Sequence, residues 1–320
     1  NTGGIARGYV DEQYPSAFIL KMIKNKNRTM KKWEPYLYIL PVIIIVFIVY
    51  IYPIINIFRY SFMSIQGENE VFVGLENYRF IKSDYIFWKS LKNNGTLLLV
   101  VPIITILALV VTIFLYERVK GWKFYRSVVF LPFILPSVVI GIVFIYILEK
   151  NGILNTVLNQ VGLGKLALDW LGNPKITIYT LMAVIIWREL GFGVVLILAA
   201  MLSLPEEINE AAKLDGANWF QEHVYVTIPQ IKPVLSFFII DEAISMLTGV
   251  FGYVYVLTGG GPGFETSVLE LYIWKYAFAY KAYGVASAVA VILLLIISII
   301  MIASMKSIKL EQKSATNFNY

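Results

Sequence analysis

Six stretches of this 320-residue sequence are apolar over about 20 residues each, the length a helix needs to cross a hydrocarbon core. They run over 37–58, 96–116, 124–148, 178–202, 234–257 and 284–305. No soluble domain hides so many runs of that kind. With 58% hydrophobic residues, a mean hydropathy of +0.70 and 15% charged residues, the chain reads as an all-α polytopic membrane protein with about six transmembrane helices. Prolines 41, 53, 102, 132 and 136 fall inside or near the ends of spans, so kinks are expected where neighbouring helices take up the freed carbonyls.

The charge pattern orients the chain. Lys and Arg are more numerous on the side that holds both termini, which predicts that the termini and the loop at 204–233 are cytoplasmic. The net charge of +6 does not suggest nucleic acid, because the basic residues form short clusters beside apolar runs and no binding stripe. Residues 1–36 are polar and basic, and the apolar segment at 17–23 within them is too short to span and suits a surface-lying helix. The absence of cysteine excludes disulfides and thiolate chemistry, and a single histidine excludes a histidine-rich metal site. That residue, His223, is expected to be a solvated loop side chain. A phosphate-binding loop is missing too. Gly162-Leu163-Gly164-Lys165 has neither the first glycine at the required offset nor a Ser or Thr at Leu166, so the chain is not expected to bind ATP itself.

The loop at 204–233 places five carboxylates, Glu206, Glu207, Glu210, Asp215 and Glu222, between two apolar runs, and it is expected to lie in water. Its local chemistry predicts two short helices at an angle. Pro205 suits a first helical position, Glu206 and Glu207 meet the positive end of the helix dipole, and Gly216 supplies a stop. Pro229 and Pro233 should end the second segment. Ile208, Ala211 and Ala212 fall at i, i+3 and i+4, giving one small apolar face suited to docking.

Glu210-Ala211-Ala212, three residues, Gly216, nine residues and then Val226-Thr227-Ile228-Pro229 resembles the EAA loop of binding-protein-dependent ABC importer permeases. Val226 and Ile228 replace that pattern's Ile and Leu by aliphatic swaps. Phe72-Val73-Gly74-Leu75-Glu76-Asn77-Tyr78 and Leu257-Thr258-Gly259-Gly260-Gly261-Pro262 are similar to stretches of sugar permeases in the maltose-transporter class. So are Phe130-Leu131-Pro132 with Leu135-Pro136, and Trp187 with Gly191-Phe192. The resemblance runs from about residue 36 to 305.

It implies a cytoplasmic coupling helix that fits a groove on a separate ATPase subunit, with Glu207, Glu210, Ala211, Ala212, Asp215, Gly216 and Pro229 at the contact. It further implies a second permease subunit, two ATPase subunits that bind the ATP and Mg, and an extracytoplasmic binding protein that delivers a sugar. The protein itself would be no enzyme and carry no catalytic residue, metal or cofactor. On this reading residues 1–36 are a cytoplasmic N-terminal segment, 37–305 the permease domain in a bacterial cytoplasmic membrane, and 306–320 a cytoplasmic tail.

Four ionisable residues fall near mid-span: Arg188, Glu189, Asp241 and Glu242. Each costs roughly 2.5–3.5 kcal/mol at the centre of a bilayer, so each should face a cavity, a partner or another of the set. Asp241, Ser245 and Thr248 draw a polar stripe along one helix face. With Phe192 offering a ring to stack on a sugar's apolar face, these residues read as a substrate pathway. Two other readings stay open. Arg188 forms an internal ion pair with Asp241 or Glu242 that fixes helix packing and touches no cargo, or the carboxylates form the relay of a proton-coupled carrier. An acidic sugar or a glycerol phosphate is the alternative cargo.

Overall fold

In the computed structural model of the chain, residues 34–66 and 69–317 are described, with side chains over 36–65 and 69–305. The segment expected to lie along the surface at 17–23 falls outside the described residues. Contacts divide the chain into two compact units, residues 1–56 and 57–320.

In the first unit, helix α1 (Glu34–Val46) passes through a π-helical turn at Phe47–Ile51 into α2 (Tyr52–Tyr60), which ends in the second unit. Together they form a 25-residue apolar helix, Tyr36–Tyr60, long enough to span.

The second unit opens with an antiparallel hairpin, β1 (Met63–Gln66) and β2 (Asn69–Phe72), a small addition to the all-helical expectation. Then follow α3 (Glu76–Ser83), α4 (Tyr85–Leu97), α5 (Val100–Tyr116), α6 (Trp122–Ile134), α7 (Ser137–Leu148) and α8 (Ile153–Gln160). The remaining helices are α9 (Thr177–Leu202), α10 (Glu206–Leu214), α11 (Trp219–Gln221), α12 (Ile228–Gln230), α13 (Lys232–Thr248), α14 (Phe251–Leu257), α15 (Leu269–Trp274) and α16 (Tyr283–Asn317).

Five helices among the described residues are long and apolar enough to cross a membrane, and six spans result when the bent pair α13–α14 counts as one. Two spans differ from expectation. The run at 124–148 is not continuous: α6 ends at Ile134, and Leu135 is extended at ψ 138° because the ring of Pro136 disfavours helical geometry in the residue before it. The run at 234–257 bends by 44° between α13 and α14.

Helices α5, α9 and α13 form the centre. A side chain at Gly193 would meet the Phe238 ring at 2.6 Å and Ala108 at 3.0 Å, so only glycine lets the three backbones approach this closely. Ile104, Ile185, Ile197 and Phe238 around it are wholly buried. Lipid competes with protein for apolar surface, so close packing rather than water exclusion holds these helices together. Ile103, Ile106, Val110 and Phe114 on the other side of α5 are exposed, as a lipid-facing surface requires.

The bend at Gly249–Val250 would leave peptide groups without partners, and two side chains from elsewhere supply them. Buried Asn94 donates through Nδ2 to the Met246 carbonyl at 3.1 Å, while its Oδ1 accepts the Leu269 N–H at 2.9 Å. Glu270 accepts from the Val250 and Phe251 N–H groups at 3.0 and 2.8 Å, capping α14. Neighbouring polar residues extend this brace: Asn93 donates to the Phe264 and Ser267 carbonyls, and Ser90 meets Ser267 at 2.9 Å. Asp84 accepts from Tyr272 and Tyr276.

Asn94→Leu should destabilise the protein by about 1–3 kcal/mol, the cost of leaving buried partners unpaired, seen as a lower unfolding temperature in detergent. Glu270 gives a pH signature. It lies on α15, between the fifth and sixth spans, and burial pushes its carboxyl up to about 7 against the opposing pull of the two N–H groups. An unfolded carboxyl titrates near 4.5, so the folded state holds the extra proton between the two values. This contribution to stability is full below pH 4.5 and is lost as pH rises through about 7. Wild type should therefore lose unfolding temperature relative to Glu270→Gln as pH is raised across that window.

Candidate functional site

Two regions carry the residues singled out above. The first is the segment between α9 and α13. Helix α10 starts at Glu206, with Pro205 one position earlier than expected, as its N-cap, and with Glu206 and Glu207 in the first turn. It ends at a Schellman motif: the Ala217 N–H bonds the Ala212 carbonyl at 3.0 Å and the Gly216 N–H bonds the Lys213 carbonyl at 3.1 Å. Gly216 has φ +82°, the left-handed geometry that the expected stop requires.

The second helix starts with a capping box, in which Asn218 and Gln221 exchange side-chain to backbone bonds at 2.9 Å. It continues from α11 through a π-helical turn at Glu222–Thr227 into α12. Pro229 therefore lies inside this helical run and does not end it. The loosened register of the π turn precedes the position where proline has no N–H to donate. The chain turns at Ile231, and Pro233 lies in the first turn of α13.

The side chains sort differently from the expected face. Glu207, Glu210, Ala211, Asp215, Gly216 and Pro229 are exposed, Ala212 and Ile208 are half-buried, and Asn209 is buried. Ile208 and Ala212 thus turn inward and only Ala211 of that trio faces out. The outward surface instead carries Leu214, 89% exposed, with Trp219 and Phe220 beyond the glycine turn. These apolar residues were missed because their spacing crosses the helix break. Nor do all five carboxylates lie in water: Glu222 is buried, 3.5 Å from Lys213 Nζ. His223, expected to be solvated, is buried against the edge of Trp219 with Nε2 3.1 Å from Glu117 Oε1.

The second region lies where α9 meets α13, α14 and the end of α6. Arg188 pairs with its neighbour Glu189, Nη1 to Oε1 at 2.5 Å, and not with Asp241 or Glu242. Its guanidinium lies over the Phe133 ring at 4.8 Å and reaches the Leu135 carbonyl, left without a helical donor by Pro136. Tyr253 donates to Glu189 Oε1 at 2.9 Å. Glu242 is buried, and its Oε2 is without a hydrogen-bond partner. Along α13 Asp241 and Ser245 are half-buried and Thr248 exposed, and Thr248 also bonds back to the Ile244 carbonyl. Phe192 stacks on Phe133 at 5.2 Å and leans on Phe238. A cavity of about 610 Å³ opens beside Trp187 between Phe144 and Tyr179. Its lining is almost wholly apolar and offers hydroxyl groups little to bond.

The binding-protein-dependent transport system inner membrane component family matches residues 101–309. The chain belongs to this family. It is a permease subunit of an ABC transporter, a membrane protein and not an enzyme. It is 33% identical to the probable ABC transporter permease protein YurN of Bacillus subtilis, over 89% of this chain and 98% of that one. It is 31% identical to the trehalose/maltose transport system permease protein MalF of Thermococcus litoralis, over 80% of this chain and 87% of the relative. Among solved structures, a permease chain of the bacterial alginate ABC transporter, in complex with an alginate-bound periplasmic protein, superposes with a TM-score of 0.74 at 23% identity. The superposition covers 89% of this chain and 95% of that one and shows the shared fold.

Proposed function

We propose that this permease carries a sugar or oligosaccharide inward across a bacterial cytoplasmic membrane, driven by ATPase subunits that dock on the segment 206–230. The observation that carries the reading is the outward face of that segment. Glu207, Glu210 and Ala211 on α10 stand beside exposed Leu214, Trp219 and Phe220, with the intervening turn fixed by Gly216. An aromatic and aliphatic patch rimmed by carboxylates suits a groove with an apolar floor and basic edges. ATP and Mg are held by the two ATPase subunits, a second permease completes the pathway, and an extracytoplasmic binding protein delivers the cargo. Both termini are cytoplasmic on this reading.

The cargo passes the cluster at α9 and α13. Arg188 already pairs with Glu189, so the cluster offers an acidic sugar or glycerol phosphate no uncommitted cation. Asp241, Ser245 and Thr248 can instead exchange hydrogen bonds with the hydroxyls of a neutral sugar. The likeness to a trehalose/maltose permease supports the same cargo class.

Reconstitution with partner permease, ATPases and a sugar-loaded binding protein tests this reading. Loaded binding protein should stimulate ATP hydrolysis, and Glu210→Lys should remove the stimulation while membrane insertion stays intact. Loss of insertion instead would assign Glu210 to folding. Uptake that persists without any ATPase would contradict the reading altogether.

A further inference from the structure

The segment 206–230 is tied to a helix that does not flank it in sequence. Asn209 on α10 donates through Nδ2 to the Tyr116 hydroxyl at 2.9 Å, and His223 Nε2 lies 3.1 Å from Glu117 Oε1. Tyr116 is the last residue of α5 and Glu117 its C-cap. The His223 ring is 1% exposed and is held edge-on to Trp219 at 4.8 Å, so it has little freedom to seek another partner. Helix α5 is in turn joined to α9. Thr112 donates to the Val194 carbonyl, and Ala108 packs at Gly193, where α13 also arrives through Phe238.

Without these two ties, a cavity of about 310 Å³ lined by Tyr116, Glu117, Asn209 and Glu222 would let the segment shift against the spans. A carboxylate bonded to an imidazole is a directional contact that fixes distance. Glu117 is 39% exposed, so the contact adds little to stability, and its value lies in position.

We propose that Glu117 and His223 form a strut that makes the segment 206–230 move as one body with α5, and so with α9 and α13. Both are positioning residues, which set how much transport each ATP hydrolysis produces and touch neither nucleotide nor cargo. The proposal rests on the reading that ATPase subunits dock on this segment.

The chain has no cysteine, which allows a direct test in the assembled transporter. Spin labels at Val119→Cys and Gln230→Cys report the distance across the strut. It should be the same in the nucleotide-free and ATP-bound states, and should change between them once His223→Phe removes Nε2 while keeping a ring on Trp219. With that variant, ATPase association and basal hydrolysis should persist while sugar taken up per ATP falls severalfold, through lost positioning of the segment. Glu117→Gln, which keeps an acceptor oxygen, should retain coupling, whereas Glu117→Leu should behave like His223→Phe. A distance that changes between states in the labelled chain with His223 intact would overturn the strut. So would unchanged uptake per ATP in His223→Phe, since α9, α13 and the Asn209–Tyr116 bond would then carry the movement without the strut. Assembly lost in both His223→Phe and Glu117→Leu would assign the pair to folding and equally overturn it. Failure of ATPase subunits to associate with the unaltered chain would instead remove the docking reading beneath.

Discussion

A peptide group inside a bilayer has no water to turn to, so every break in a spanning helix must be answered by a side chain or a carbonyl of the protein itself. The irregular parts of this permease follow from that constraint. Pro136 ends α6 and frees the Leu135 carbonyl, and Arg188 reaches it. The bend between α13 and α14 frees the groups around Gly249, and Asn94 and Glu270 take them up. The amide comes from α4, far away in sequence, and the carboxylate from α15, the next helix on, so the bent span depends on both being in place. Charge follows the same rule: Glu189 neutralises Arg188 and accepts from Tyr253, so one acid serves a cation and a hydroxyl together.

The segment 206–230 obeys a different rule. It lies between two candidate spans, and its geometry comes from local devices: a capping box at Asn218, a Schellman turn at Gly216 and a π turn before Pro229. What connects the two regimes is the buried side of that segment. Asn209, Glu222 and His223 are buried, and Asn209 and His223 meet the C-terminal end of α5. An exposed apolar face and a buried, hydrogen-bonded face thus lie on the same short helices, which suits the proposed part that transmits force between two bodies.

Hydrophobic run length made the spans legible, because about 20 apolar residues admit few fates. The helical geometry of the segment 206–230 was legible because Gly216 and the carboxylates of α10 act over one helical turn. Only one of the two bends was: Pro136 marked the break after α6, but Gly249 is an ordinary residue in the pattern and its bend depends on Asn94, some 150 residues away. The buried state of His223 was hidden for the same reason: a polar residue in a polar loop reads as solvated until Trp219 and Glu117 fold over it. The half-burial of Ile208 and Ala212 beside buried Asn209 was not legible, because helical periodicity finds an apolar side without telling which part of it packs against the rest of the protein.

The proposed transport mechanism depends on the exposed face of the segment 206–230 being the side that meets the ATPase. A single cysteine at Leu214, the most exposed of the large apolar residues there, answers this in an otherwise cysteine-free chain. A membrane-impermeant maleimide should label Leu214→Cys in inside-out vesicles and not in right-side-out vesicles, and added ATPase subunits should block the labelling. Labelling from the outer side, or labelling that the ATPase subunits leave unchanged, would contradict it.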